Sequence, residues 1–314
     1  MKQRRRIFLR FGLRSILTVT TIVALFCGVW LRQAMVQRDV SQKLERIGVD
    51  LSMGEVPTWL SWLPKSVLNY EGGHYFCPVT AATAGCANVR REGPPVLPLL
   101  AKLPSLKSLR IGKVALRGET LKGLADFAKL EELILLDGSF NNDDIAAIPR
   151  LTRLKYLDLS RNTECSILPI GLSNLRVLNL DATAFSDEGM QQLAKSNKLE
   201  SLSLSYTRVS DQGMDKLSPL QRLAVLDLAC TSVTGEHLSS LRSLRSLSLG
   251  DTALSEHHFI EICKLPMLTS LNVQDCRKIT EVGLQGLSGS RILENLDLTV
   301  DRSTITSNSI TTSK

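Results

Sequence analysis

The stretch EHHFIEIC, from Glu256 to Cys263, brings together two imidazoles, three charged or thiol-bearing partners and three apolar residues. These are the side chains that metal binding and acid–base chemistry use, but the spacing argues against both. His257 and His258 are adjacent rather than four apart, so one helix face cannot present both to an ion. Cys276 is a second conspicuous thiol, yet Thr fills its slot at equivalent points of the chain, which suits a buried structural role. There is no phosphate-binding glycine loop, no Gly-x-Ser-x-Gly elbow and no dinucleotide fingerprint. No catalytic residue, metal or cofactor is expected.

What positions these residues is a repeat. Aligned on L-x-x-L-x-[LIV], the first leucine falls at Leu106, Leu130, Leu154, Leu175, Leu199, Leu223, Leu244, Leu268 and Leu293, at steps of 21 to 25 residues. In LESLSL (199–204) apolar and polar residues alternate, the pattern of a short strand with one buried face. A small polar residue follows: Asn162, Thr183, Thr207, Thr231, Thr252 or Cys276. Its side chain can bond backbone groups that a tight turn leaves unpaired. An apolar plug comes next, such as Phe140, Phe185, Val209, Val233, Leu254 or Ile279. SDEGMQQL, SDQGMDKL and TEVGLQGL then open with helix-capping residues and carry an apolar inner face. Each unit is strand, turn, short helix and return. No unit can bury its apolar side alone, so the units must stack.

Two repeats depart from this pattern. The one starting at Leu154 lacks the Gly-Leu helix entry, and the one starting at Leu223 is three residues short. The first is expected to be irregular on its convex side, the second to lose about one helical turn, and both to change the local curvature.

With these motifs, residues 82–300 resemble the leucine-rich-repeat family, and the L-x-x-L-x-L-x-x-[TC]-x-[IV] form is similar to its cysteine-containing subclass. The resemblance implies an α/β solenoid, with a parallel sheet on the concave face, helices on the convex face, and a role in recognition rather than catalysis. Alternation places one exposed strand column at Ser108, Glu132, Tyr156, Val177, Ser201 and Val225, and a second at Arg110, Ile134, Asp158, Asn179, Ser203 and Asp227. Tyr156, Asp158, Asp181, Tyr206 and Asp227 are the candidate binding residues, because aromatic side chains dominate interface energetics. The partner would be a protein or other ligand on the concave face.

The N-terminus raises a separate question. Residues 1–46 carry ten Lys or Arg against two acids, so the other 268 residues hold a net charge of −1. A nucleic-acid binder would carry its basic excess on the folded domain. Here it flanks Ser15–Leu31, seventeen residues without a charge. That length suits a transmembrane signal anchor, and six cations before it predict a cytoplasmic N-terminus and an extracytoplasmic repeat domain. The layout also resembles bacterial membrane-anchored leucine-rich-repeat proteins. The expected organisation is a basic leader (1–14), the anchor (15–31), a juxtamembrane helix and N-terminal cap (32–81), the repeats (82–300) and a Ser/Thr-rich disordered tail (301–314). Within the cap region, PTWLSWLPKSVLNYEGGHYFCPV (57–79) fits either a cover for the first repeat or an interfacial membrane contact. Cys77 and Cys86 could pair in an oxidising compartment, but spacing alone does not establish a bridge. The alternative function, an F-box-like substrate receptor of a ubiquitin ligase, rests on fold-level analogy alone.

Overall fold

Leu109, Leu133, Leu157, Leu178, Leu202, Leu226, Leu247 and Leu271 stand opposite one another on successive strands, and each is at most 1% exposed. This ladder organises the molecule. The computed structural model describes residues 13–55, 78–84, 95–112, 121–136, 138, 140–146, 148–168, 172–280, 283 and 297–299. Its strands are β1 (Asp50–Met53), β2 (Val79–Ala84), β3 (Ser108–Gly112), β4 (Glu132–Leu136), β5 (Tyr156–Asp158) and β6 (Val177–Asn179). They continue with β7 (Ser201–Ser203), β8 (Val225–Asp227), β9 (Ser246–Ser248), β10 (Ser270–Asn272) and β11 (Asp297–Thr299). All eleven form one sheet in chain order; β1 pairs antiparallel with β2, and every later pair is parallel. A parallel pair needs a crossover, and here each repeat's return segment supplies one.

The described returns contain short helices: α2 (Val96–Leu100), α3 (Asn142–Ile145), α4 (Asp187–Leu193), α5 (Asp211–Met214) and α6 (Glu256–Cys263). Single 3₁₀ turns supplement or replace them at Leu121–Asp126, Ile148–Arg150, Asp215–Leu217 and Leu238–Ser240. The repeat starting at Leu154 is irregular on its convex side, and the one starting at Leu223 has a shortened return. No described residue between β5 and β6 is helical, and the shortened repeat keeps only the turn at Leu238–Ser240, entered through a left-handed His237.

Preceding the sheet, α1 (Leu13–Arg46) is a single helix. Val40, Leu44, Ile47 and Val49, at its end and just beyond, are buried in the core, so this segment and β1 cover the first coil. The transmembrane helix expected over 15–31 is not established. No helix among the described residues is long and apolar enough to cross a membrane; α1 interrupts its apolar residues with Thr18, Thr20 and Thr21 and runs on into Arg32, Arg38 and Asp39. Residues 1–12, the stretch 57–77 with Cys77, Cys86 and the tail 301–314 lie outside the described residues.

Two strand expectations need correction. In the last repeat, Leu298 rather than Leu296 stands opposite Leu271, so β11 is displaced by two residues from the sequence alignment. A two-residue slip preserves which residues share a face, so the apolar pattern could not detect it. Ile134, assigned to the exposed column, is only 7% exposed, between Arg110 and Asp158 in register.

Candidate recognition surface

The polar residue after each strand does the work its position predicts. Asn162 is fully buried; its Nδ2 donates to the Leu135 and Leu159 carbonyls at 3.2 and 2.8 Å, and its Oδ1 accepts from the Phe140 N–H at 3.0 Å. The Thr183, Thr231 and Thr252 hydroxyls donate to the carbonyls of Leu180, Leu228 and Leu249 at 2.6–2.7 Å. The Cys276 thiol donates to Leu249 O at 3.0 Å and lies 3.5 Å from the Thr252 hydroxyl. Unpaired buried backbone groups would each cost about 1–3 kcal/mol, so this column serves the fold.

The candidate aspartates are likewise engaged. Asp158 and Asp227 accept from the N–H two residues on, at Ser160 (2.8 Å) and Ala229 (3.0 Å), as Asn179 does for Asp181 (2.9 Å) and Asn272 for Gln274 (3.0 Å). Such side-chain turns hold the chain as it leaves the strand. Asp181 instead reaches the next repeat, accepting from the Ser203 hydroxyl at 2.6 Å and the Ser205 N–H at 2.9 Å. These carboxylates give the strand-exit edge its acidic character while stabilising turns.

The tyrosines are differently placed. Tyr156 opens β5 on the concave face, in register with Glu132 on one side and Val177 on the other. Partial burial, with the negative charges of Asp158 and Glu132, raises its phenol pKa above the ordinary value. Tyr206 lies beyond β7, in the turn, at φ +56° and 67% exposed. Interaction with the neighbouring Cys230 side chain raises its phenol pKa. The two tyrosines are therefore separated by two strand spacings and sit in different parts of the repeat. The continuous concave stripe is instead Tyr156, Val177, Ser201 and Val225, the last 42% exposed. The alternation places Val177 and Val225 in this column without marking them as contacts, and it assigns Cys230 no place beside Tyr206. The signal available for Cys230 was its slot, one residue before Thr231, which Tyr206 occupies one repeat earlier.

The EHHFIEIC cluster disperses on α6. Glu256 accepts from the Thr280 hydroxyl at 2.6 Å, which lowers its pKa. His258 Nδ1 lies 3.0 Å from the Thr234 carbonyl, an acceptor, so that nitrogen carries the proton. Burial pushes the Cys263 thiol up to about 12. Among the described residues, no three His, Cys, Asp or Glu side chains gather as a metal site requires.

Residues 195–218 and 264–288 match the family described as leucine-rich repeat. No curated protein matches the chain. Among solved structures, it is similar to internalin C2 of Listeria monocytogenes, at 20% identity over 71% of this chain and 80% of that one, with a TM-score of 0.42. The functional domain of InlJ from Listeria monocytogenes, which includes a cysteine ladder, shares 17% identity over 58% and 51%, with a TM-score of 0.39. A leucine-rich-repeat protein of Leptospira interrogans shares 19% over 66% and 58%, with a TM-score of 0.44. The chain spans about half to three-fifths of the length of the last two.

Proposed function

We propose that this chain, a member of the leucine-rich-repeat superfamily, is a non-catalytic recognition protein that binds a protein or ligand on its concave face. The observation that carries this reading is the stripe of Tyr156, Val177 and Val225, which point away from the leucine ladder and take no part in the core. Apolar and aromatic groups that the fold does not use are what a partner surface requires. Asp158, Asp181 and Asp227 border the stripe, and Tyr206 stands at its exit side. An F-box-like receptor is not favoured: among the described residues, one helix and β1 precede β2, and the helix ends in the solenoid's own core.

Display outside the cytoplasm, on an N-terminal anchor, belongs to the same proposal. Its support is the uncharged run 15–31 behind six cations, together with exposed Leu17, Ile22, Val23, Leu25 and Val29 on α1. Apolar side chains left in water over that length are unfavourable, and a bilayer would cover them. A reporter active only outside the cytoplasm, fused after Lys314, tests the orientation; activity of only a cytoplasmic reporter overturns it. For the binding face, a photo-crosslinking residue at Tyr156 should give a discrete adduct on intact cells, and one at Gln212 on α5 should not. Adducts from Gln212 alone would assign recognition to the convex side.

A further inference from the structure

The residues just before the strands form a column whose chemistry the fold does not require. Glu131, Lys155, Arg176 and Glu200 immediately precede β4, β5, β6 and β7, and each of the last three donates its N–H to the carbonyl of the one before at 2.8 Å. Their side chains therefore emerge at intervals of about 4.8 Å. Lys155 pairs with Glu131 at 2.6 Å, and Arg176 with Glu200 at 3.2 Å. The pairs point outward from each other and leave Lys155 and Arg176 as direct neighbours. Like charges on adjacent strands are destabilising unless something lies between them.

A cavity of about 280 Å³ lies there, lined by Glu131, Arg153, Lys155, Asn174, Arg176 and Lys198. Four cations face one carboxylate, and the Lys155 hydrogen bond lowers that carboxylate's pKa, holding it ionised. The Lys198 ammonium bonds the neutral Asn174 amide at 2.6 Å, so it carries its charge into the cavity without a counter-ion on that bond. Everything after residue 46 sums to −1, so this concentration is local. The opposite edge of the sheet carries Asp158, Asp181, Asp227, Asp251 and Asp275 at the strand exits. The pocket at strand entry is basic, and the strand-exit edge is acidic.

We propose that this cavity binds a phosphate ester carried on a small polar body. A phosphomonoester is compact, doubly charged and matched to guanidinium and ammonium donors, and it would sit between Lys155 and Arg176 with Arg153 and Lys198 beside it. The volume is just below the roughly 300–1,000 Å³ range of drug-sized ligand pockets and suits a group the size of a hexose phosphate. Such a group occurs free or as the headgroup of a lipid. This site lies off the concave stripe and does not rest on the recognition proposed there.

The test is calorimetric titration of the full chain in neutral detergent with glucose 6-phosphate, using glucose as the uncharged control. Saturable binding of the phosphate ester and none of glucose is expected, weakening as salt rises. Arg153→Gln and Lys198→Gln should each weaken it about tenfold, the value of one charge-assisted hydrogen bond. Glu131→Gln should tighten it severalfold, because it releases Lys155. Arg245→Gln, before β9 and outside the cavity, should change nothing. Repeating the titration with phosphatidylcholine vesicles, with and without phosphatidic acid, separates the sources. Competition by phosphatidic acid assigns a lipid headgroup, and its absence assigns a free ester; both uphold the site. No saturable binding overturns the proposal, as does a loss from Arg245→Gln equal to that from Lys198→Gln.

Discussion

His258 is packed directly over Gly235: a Cβ on Gly235 would lie 2.7 Å from the His258 Cβ. In the repeats before it the arrangement is inverted. Asp187 of α4 accepts from the Ser210 N–H at 2.8 Å, and glycine at 213 leaves room for that carboxylate. Where the upstream repeat carries Gly235 instead of Asp, the downstream repeat can carry His258 instead of Gly. Because Gly235 also has φ +98°, Gly235→Ala should cost on the order of 2–4 kcal/mol. His258→Gly should also destabilise, through the lost Thr234 contact and a helical glycine. Denaturation of the double variant should show a loss well below the sum of the two. Simple additivity would mean that the packing relationship is not energetic.

A second relationship crosses repeats on the concave side, where Asp181 holds the Ser205 N–H. Ser203 occupies the slot that holds Asp158, Asn179, Asp227 and Asn272 in other repeats, and its short side chain is itself bonded to Asp181. Asp181→Ala should therefore cost about 1–3 kcal/mol by orphaning a nearly buried N–H. Asp158→Asn should be nearly neutral in the same melts, since Asn179 and Asn272 already make that turn. Equal losses from both would make the charge, rather than the acceptor, the stabilising feature.

These two contacts mark how far the sequence could be read. Leucine spacing determined the parallel ladder, and the buried Asn/Thr column was legible because it recurs in the five repeats from Asn162 to Thr252. Asp181 and the Gly235–His258 pair are exceptions to the repeat, and each becomes intelligible only beside its neighbour 23 or 24 residues away. The antiparallel β1 and the buried end of α1 carry no repeat at all. The two-residue displacement of β11 leaves the apolar alternation unchanged. The strand-entry cations were invisible because Lys and Arg on an exposed column look like solvated surface until register makes Lys155 and Arg176 neighbours. Both tyrosines lie outside the leucine ladder, as the alternation predicts, but alternation does not show that Tyr206 sits in a left-handed turn.

The ladder itself gives the largest expected losses. Leu202 and Leu226 are 0% and 1% exposed, so Leu→Ala at either should cost about 2–5 kcal/mol in chemical denaturation. Cys276→Thr should stay within about 0.5 kcal/mol, because a Thr hydroxyl can donate to Leu249 O as the thiol does. A large loss from Cys276→Thr would return the thiol to consideration as a functional group.

The cysteines also separate by reactivity. Cys165, Cys263 and Cys276 are buried, whereas Cys230 is half-exposed. Alkylation of the folded chain at pH 8, mapped by mass spectrometry, should modify Cys230 and spare Cys165, Cys263 and Cys276 until denaturant is added. Burial raises the Cys263 pKa from 9.0 to about 12, so the neutral thiol is favoured in the folded state. Its contribution to stability is fully present below pH 9 and is lost as pH rises towards 12. Cys263→Ala should flatten the alkaline fall in melting temperature. Modification of Cys263 at the rate of Cys230 would contradict its burial.

Tyr206 shares a left-handed turn slot with Arg161, Ala182, Cys230, Asp251 and Asp275, at φ between +53° and +65°. An L-residue there costs about 1–2 kcal/mol, and because the slot recurs, the strain belongs to the architecture. A bulky ring is nevertheless an expensive occupant, and at 67% exposure it contributes little to the core. Tyr206→Gly should therefore raise stability by about 0.5–1 kcal/mol. If Tyr206 is kept for recognition, the same variant should weaken crosslinking from the Tyr156 position while the protein becomes more stable. A lower melting temperature would show that the ring packs structurally through its Cys230 contact. Unchanged crosslinking would remove Tyr206 from the interface and leave the Tyr156, Val177 and Val225 stripe to carry recognition alone.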